Sequence, residues 1–232
     1  MPVLVETHEE RVTVVTIDRQ ERRNAVDRDA AEAIRDAASS ASGVVVLTGA
    51  GGHFCSGADL TTLEDAGFAA LVRDTCDALG RGDIVSIAAV DGAALGAGTQ
   101  FAAACDLRVA TPAARFGVPA GKLGVALDGR TVARLAAVAG GGPARAMLLG
   151  GDVVDGETAH QVGFVQRLGR LEDALAWARE IASLAPLTLT AHKLGLDGAD
   201  ARAAYERAWA SDDLREGLAA FQEKRSPKFE GR

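Results

Sequence analysis

VVVLTGAGGHFCSGADL, residues 44–60, is the stretch that decides the fold of this chain. It begins with a short run of β-branched and apolar residues between glycines, which indicates a buried parallel strand. A glycine-dense turn follows and emerges as Gly57-Ala58-Asp59, where Asp59 can cap the next element. Glycine permits positive φ and close approach of the backbone to a ligand. The segment therefore predicts a strand and turn whose main chain can border a ligand.

A second segment, residues 84–110, has the same design: IVSIAAVDGAALGAGTQFAAACDLRVA. A buried strand is predicted to end at Val90, and Gly96-Ala97-Gly98 to open a helix that runs through Cys105. Free N–H groups at a helix start point toward any anionic oxygen placed there, aided by the helix dipole. Tight packing of small residues would explain either segment alone. Their order and spacing together favour two backbone donors that face each other.

Further strands and helices complete an α/β pattern. Short β-branched runs predict strands at residues 3–5, 12–17, 44–48, 84–90 and 107–110, with a helix at 27–38 that Asp27 caps. Such βα alternation is typical of a layered core. Helical patterns dominate after Pro112 and cover residues 130–139, 143–149, 157–162, 171–184, 186–195 and 211–224. We therefore divide the chain into a core, 1–170, and a C-terminal helical region, 171–232.

Composition narrows the class of protein. The 232 residues are 48% hydrophobic but only 4% aromatic, so the core consists mostly of small aliphatic side chains. A net charge of −7 without a basic stripe argues against nucleic acid, though not against a small anionic ligand. Three cysteines without paired spacing indicate reduced thiols. With no signal-peptide pattern at residues 1–10 and no apolar run long enough to span a membrane, we expect a cytoplasmic protein.

Five stretches resemble the enoyl-CoA hydratase/isomerase, or crotonase, superfamily. They are RRNAV (22–26), VVLTGAGGHFCSGADL (45–60), VDGAALGAGTQFAAACDLRVA (90–110), RFGVPAGKLGVALDG (115–129) and FQEKRSPKF (221–229). The resemblance implies an α/β crotonase fold, a ClpP-like spiral of ββα units with a C-terminal helical trimerisation region. It also implies a coenzyme A thioester as ligand, no permanently bound cofactor, and a homotrimer or dimer of trimers.

The resemblance carries site residues with it. It implies that the backbone N–H groups of Ala58 and Ala97 form an oxyanion hole for the thioester oxygen. The remaining implied contacts are with coenzyme A: Ala58, Asp59 and Leu60 beside the pantetheine, Arg22, Arg23, Asn24 and Ala25 near the adenine and phosphates, and Phe221 and Lys224 from the C-terminal helix, often of a neighbouring subunit.

Two positions depart from the hydratase pattern. Family hydratases deliver water with two glutamates, and the matching positions here are Gln100 and Ala120. A glutamine can hold a water molecule but cannot accept its proton near neutral pH, and an alanine can do neither. Because each acid–base group contributes on the order of 10²–10⁴-fold to rate, we expect little ordinary hydratase activity.

One carboxylate remains at a promising position. Asp128 matches a site where some isomerases of the superfamily carry an aspartate that faces the acyl chain. The alternative is that Asp128 caps the helix beginning near Arg130 or pairs with a nearby arginine. Glu64 and Asp65 are expected to be solvated, and His53 to be a packing or surface residue. The isolated histidines indicate no metal site.

Three functional hypotheses follow. The first is an acyl-CoA carrier or sensor of fatty-acid or lipid metabolism that has lost hydratase activity. The second is an enzyme: an enoyl-CoA isomerase with Asp128 as the general base, or a weak hydratase with a water held by Gln100. The third is a purely structural subunit, which no feature of the sequence favours.

Overall fold

The computed structural model describes residues 2–8, 11–65 and 67–232. The strands are β1 (Val3–His8), β2 (Val12–Ile17), β3 (Gly43–Gly49), β4 (Ile84–Val90), β5 (Ala93–Leu95), β6 (Leu107–Ala110), β7 (Arg115–Gly117), β8 (Val153–Asp155) and β9 (Arg167–Leu168). The helices are α1 (Arg28–Ser40), α2 (Phe68–Leu79), α3 (Ala97–Ala104), α4 (Gly129–Ala139), α5 (Gly141–Arg145), α6 (Gly156–Gln161), α7 (Leu171–Ala182), α8 (Pro186–Leu196), α9 (Arg202–Trp209) and α10 (Asp212–Glu223).

A six-stranded sheet forms the centre, in the order β1-β2-β3-β4-β6-β9. The β1–β2 pair is antiparallel and the other four pairs are parallel. Strand β3 is apolar on both faces because both faces are covered: Val45 and Leu47 belong to one hydrophobic cluster, and Val44 and Val46 to the other. The first cluster includes residues of α1, α2 and α3, and the second includes residues of α7.

A smaller sheet, β5-β7-β8, stands beside the first. Its strands are three residues long, and β5 pairs with β7 in parallel while β7 pairs with β8 antiparallel. Strand β5 follows β4 almost directly and leads into α3. This connection places the start of α3 next to the turn that follows β3, because Cys55 and Ala94 form a parallel bridge.

Most predicted elements are confirmed. Strands β3, β4 and β6 lie within one residue of the predicted bounds, and Asp27 caps α1 by accepting a hydrogen bond from Ala30 N at 2.9 Å. The predicted helix at residues 143–149 is α5 continued by a π-helical turn, Ala146–Gly150. Helix α2, within residues 61–82, was not among the predicted elements; Ala66 in the same segment lies outside the described residues.

Only helices follow β9, but they differ in how they pack. Helix α7 covers the sheet with Ala174, Ala178 and Ile181. Helix α8 is attached by Lys193, whose buried ammonium donates to Ile84 O at 2.9 Å and to an Asp106 carboxylate oxygen at 2.8 Å. Helix α9 buries no residue. The division at residue 170 falls between β9 and α7 and stays a prediction.

No helix in the described part of the chain is long and apolar enough to cross a membrane.

Candidate functional site

The turns after β3 and β5 run side by side. Cys55 N donates to Ala93 O at 2.8 Å, and Leu95 N donates to Cys55 O at 2.9 Å. A Cβ atom added at Gly96 would lie 3.7 Å from Gly57 Cα, and one added at Gly98 would lie 2.3 Å from Cys55 O. Real Cβ atoms do not approach a carbonyl oxygen that closely. Glycine at 98 therefore allows the two turns to meet.

Ala58 directly follows Gly57 in one turn, and Ala97 directly follows Gly96 in the other. The neighbouring backbone amides already donate hydrogen bonds within the protein: Asp59 N donates to Val26 O at 2.8 Å, and Gly96 N donates to Gly117 O at 2.9 Å. Ala97 is the first residue of α3, so its N–H has no acceptor within the helix. Among the described residues, neither the Ala58 nor the Ala97 amide donates a backbone hydrogen bond.

Both amides belong to residues that line one cavity of about 500 Å³. Its other walls come from α2, from α3 and from the loop between β7 and α4. The cavity is largely apolar, and the described residues that line it include one carboxylate, Asp128, and one cation, Arg73. The apolar part of the wall is formed mainly by Leu63, Phe68, Val72, Leu123, Val125 and Leu127.

Gln100 and Ala120 also border this cavity. The Gln100 carboxamide makes no hydrogen bond to any described residue, so its donor and acceptor are free for a ligand or a water molecule. Ala120 contributes only a methyl group. The structure therefore brings together all five residues predicted for the reaction centre, and Asp128 is the single one among them with an ionisable side chain.

Asp128 is the N-cap of α4. One carboxylate oxygen accepts from the N–H groups of Arg130 and Thr131 at 3.0 and 3.1 Å, and the other accepts from the Thr131 hydroxyl at 2.6 Å. The hydroxyl bond is the main cause that lowers the pKa of Asp128 below its usual range. The capping interpretation is thus what the structure shows. A lowered pKa also makes Asp128 a weaker base.

Arg19, which sequence reasoning missed, organises the edge of the site. Its guanidinium lies 2.7 Å from the Asp27 carboxylate and 3.3 Å from that of Asp59, and it donates to Ala25 O. Asp59 in turn accepts from the Thr61 hydroxyl and N–H, and these bonds are the main cause that lowers the Asp59 pKa. Sequence reasoning did not single out Arg19 from Arg22 and Arg23, because Asp59, its partner at the cavity, lies 40 positions later in the chain.

Asn24 is fully buried. Its Nδ2 donates to Ala50 O at 2.8 Å and to His53 O at 2.5 Å, while its Oδ1 accepts from Arg19 N at 2.9 Å. The Asn24 side chain points into the protein and fixes the glycine-rich turn, and the place of this residue near the adenine of coenzyme A stays a prediction. Ala25 contributes its carbonyl to Arg19.

Arg22 and Arg23 are exposed, and neither forms an ion pair within the described ranges. Leu60 is 64% exposed at the rim of the cavity. Phe221 is 85% exposed near the end of α10, and Lys224 ends that helix in a left-handed conformation with φ +55°. Neither Phe221 nor Lys224 lines the cavity.

Cys55 lies beneath the two turns and is completely buried. Burial raises the pKa of this thiol to about 12, so it is protonated near neutral pH and is not a nucleophile. In the part of the chain that the structure describes, no three His, Cys, Asp or Glu side chains are grouped so that they could hold a metal ion.

Comparison with known proteins places this geometry in a family. Residues 7–232 match the family model for enoyl-CoA hydratase/isomerase. The chain is 42% identical to the probable enoyl-CoA hydratase echA6 of Mycobacterium tuberculosis, over 97% of this chain and 98% of that protein. It is 34% identical to the 2,3-dehydroadipyl-CoA hydratase of Escherichia coli over the full length of both.

Solved structures of similar proteins have the same fold. An enoyl-CoA hydratase/carnithine racemase from Magnetospirillum magneticum superposes with a TM-score of 0.90 at 28% identity, covering 100% of this chain and 96% of that one. An enoyl-CoA hydratase from Bacillus anthracis superposes with the same score at 26% identity, covering all of both chains. These matches confirm the predicted crotonase fold. This chain belongs to the enoyl-CoA hydratase/isomerase family.

Proposed function

We propose that this chain binds an acyl-CoA thioester and has little ordinary hydratase activity. The observation that carries the proposal is one apolar cavity that combines two unpaired backbone amides, at Ala58 and Ala97, with a glutamine and an alanine at the positions of the acids. A carrier or sensor of acyl-CoA in fatty-acid metabolism is the role that fits this combination.

The main chain supplies the hydrogen bonds that hold the thioester. The thioester oxygen accepts hydrogen bonds from the N–H groups of Ala58 and Ala97, and the α3 dipole supports the second bond. A well-aimed donor of this kind can contribute roughly 3–4 kcal/mol to an enolate-like transition state. The alanine side chain at position 97 does not affect this hydrogen bond, because the donor is the backbone N–H.

The coenzyme A moiety extends from the cavity along the surface. Asp59 and Leu60 border the pantetheine, and the unpaired guanidinium groups of Arg22 and Arg23 suit the phosphates, since guanidinium forms strong hydrogen bonds to phosphate oxygens. Phe221 and Lys224 complete the site from a neighbouring subunit of a homotrimer or dimer of trimers. Their exposed positions on α10 are compatible with that arrangement.

Hydration lacks a proton acceptor at both family positions. The free carboxamide of Gln100 can orient a water molecule but cannot remove its proton. Ala120 leaves nothing to protonate the substrate carbon. The loss of both groups removes on the order of 10²–10⁴-fold each from the rate.

The alternative is an isomerase in which Asp128 moves a proton between carbons of the acyl chain. The observation that favours it is that Asp128 is the one carboxylate among the described residues lining the cavity. Its cap bonds and lowered pKa weaken it as a base, which is why we place this function second.

Calorimetric titration tests the binding proposal. Acyl-CoA esters are compared with S-alkyl-CoA thioethers of equal length, which lack only the carbonyl oxygen. The loss of two hydrogen bonds should weaken binding of the thioether by about tenfold or more. Absence of heat with every acyl-CoA would refute the proposal, and equal affinity of ester and thioether would refute the role of the two amides.

Catalysis is measured on the same protein with 2-enoyl-CoA and 3-enoyl-CoA, followed by chromatography of the products. Hydration at rates typical of the family would overturn the proposed loss of activity. Double-bond migration by the wild type that Asp128→Asn abolishes would establish the isomerase instead.

A further inference from the structure

A second cavity, of about 370 Å³, adjoins the first. It lies between α2, α3 and α4, with the end of α8 at its far side. Arg73 and Gln100 line both cavities, so the two spaces meet at these side chains. A ligand whose thioester lies at Ala58 and Ala97 shares the first cavity with both of these side chains.

The two cavities differ in chemistry. The first offers mainly aliphatic and aromatic walls, whereas the second is lined by three arginines and two aspartates. Two of those arginines are matched within the cavity. Arg130 lies 3.0 Å from Asp77, and Arg134 lies 2.6 Å from Asp197.

Arg73, the third arginine, pairs with neither of the two aspartates that line this cavity. Its ion pair is with Asp74, the next residue in the chain, at 3.4 Å through one nitrogen, and Asp74 lines neither cavity. A guanidinium has five N–H donors, so most of those of Arg73 are free. The side chain is 44% exposed and is the one cation among the described residues that line the first, largely apolar cavity.

We infer that Arg73 is a specificity-determining residue that binds a carboxylate at the far end of the acyl chain, so that the preferred ligand class is the monothioester of a dicarboxylic acid with coenzyme A. This inference rests on the proposed function. The methylene segment fills the apolar cavity, and the terminal carboxylate meets the arginine. An uncharged alkyl end at the same place would cover a guanidinium without replacing its hydrogen bonds to water, which is unfavourable.

The test compares matched thioesters by calorimetry. Pairs with six, eight and ten acyl carbons differ only in whether the last carbon is a methyl or a carboxylate. For at least one length, the wild type should bind the carboxylate member about fivefold tighter or more. That preference should shrink as salt is added, because Arg73 is partly exposed.

Arg73→Met keeps most of the aliphatic stem and should abolish the preference, while Arg73→Lys should retain part of it. Arg35→Met is the matched control: Arg35 lies on α1, pairs with its neighbour Asp36 at 2.8 Å, and lines neither cavity. This variant should keep the wild-type preference.

The outcomes separate the two proposals. If the methyl-ended thioesters bind and the carboxylate-ended ones bind no tighter at any length, the inference is wrong and the proposed function stands. A preference that survives in Arg73→Met also overturns the inference. If no thioester of either kind binds, the proposed function itself fails.

Discussion

Gly96 lies directly against Gly57, and each precedes a residue whose backbone amide is unpaired. A Cβ atom at position 96 would be 3.7 Å from Gly57 Cα, which is ordinary van der Waals contact. The two turns thus lie close enough at these glycines that a methyl group would fill the gap, and Ala58 and Ala97 line the same cavity. The approach depends on Gly98, two residues after Gly96, where there is no room for a side chain.

Gly98→Ala should separate the turns. The added Cβ would lie 2.3 Å from Cys55 O and 3.0 Å from Cys55 Cβ, both in the rigid interior. We expect the free energy of unfolding to fall by about 1–3 kcal/mol and acyl-CoA binding to weaken. Chemical denaturation and calorimetry measure the two effects. Gly142→Ala, in α5 with nothing within 4 Å of the new Cβ, is the control and should leave both unchanged or raise stability slightly.

Restoring the acids should restore hydration. The double variant Gln100→Glu, Ala120→Glu places two carboxyl groups beside the cavity that contains Ala58 and Ala97. We expect turnover of 2-enoyl-CoA to rise by about 10²-fold or more over the wild type. Gln100→Glu alone serves as the control, since one acid should restore much less. No gain in a folded double variant would contradict our explanation of why hydration is weak.

Asp128 should contribute to stability in a pH-dependent way. Because its folded-state pKa lies below the unfolded value, its contribution is complete above roughly pH 4 and is lost as the pH falls through the lowered folded value. Asp128→Ala should cost about 1 kcal/mol at neutral pH, whereas Asp128→Asn, a good N-cap, should cost little and lose the acid dependence. Thermal unfolding across pH measures both.

The matched control is Asp155, which caps α6 through Thr158 N at 2.7 Å and does not line the cavity. Asp155→Asn and Asp128→Asn should affect stability alike but only the second can alter chemistry at the thioester. If Asp155→Asn changed turnover as much as Asp128→Asn, an effect of Asp128→Asn could not be assigned to a proton acceptor.

Lys193 should matter more for stability than any surface charge. Its ammonium and the Asp106 carboxylate are almost fully buried and lie 2.8 Å apart. Lys193→Met leaves that carboxylate with only the 4.0 Å ion pair to Arg134 and should cost about 3 kcal/mol of unfolding free energy. Denaturant titration measures the loss. Arg202→Met, which removes an exposed pair with Glu206 at 3.8 Å, should change stability by less than about 1 kcal/mol.

The sequence predicted the central sheet well because its strands carry a strong local signal. Apolar β-branched runs ending at glycine can hardly form anything else, and β3 and β4 lie where such runs occur. Strands β5, β7, β8 and β9 were not predicted, since runs of two or three residues have too little local preference and are held by pairing with neighbouring strands. Helix α9 was not predicted either, and it buries no residue against the rest of the chain.

At the site, family motifs identified the residues of one cavity but not the interactions around it. Ala58, Ala97 and Gln100 line the same space, as their motifs suggested. Arg19 and Arg73 were not identified, because their importance comes from where distant segments fold beside them. The burial of Asn24 was not predicted, since its carboxamide bonds to residues 26 and 29 positions later in the chain.

The neutral residues at positions 100 and 120 also lower the free-energy cost of filling the cavity with a hydrocarbon chain. A hydrocarbon chain that enters beside two carboxylates must strip water from them, at a considerable cost in free energy. Here it displaces water only from a carboxamide and a methyl group. Under the proposed function, the two residues that would slow conversion of the thioester would also lengthen its residence, which suits a protein that hands an activated acyl group on intact.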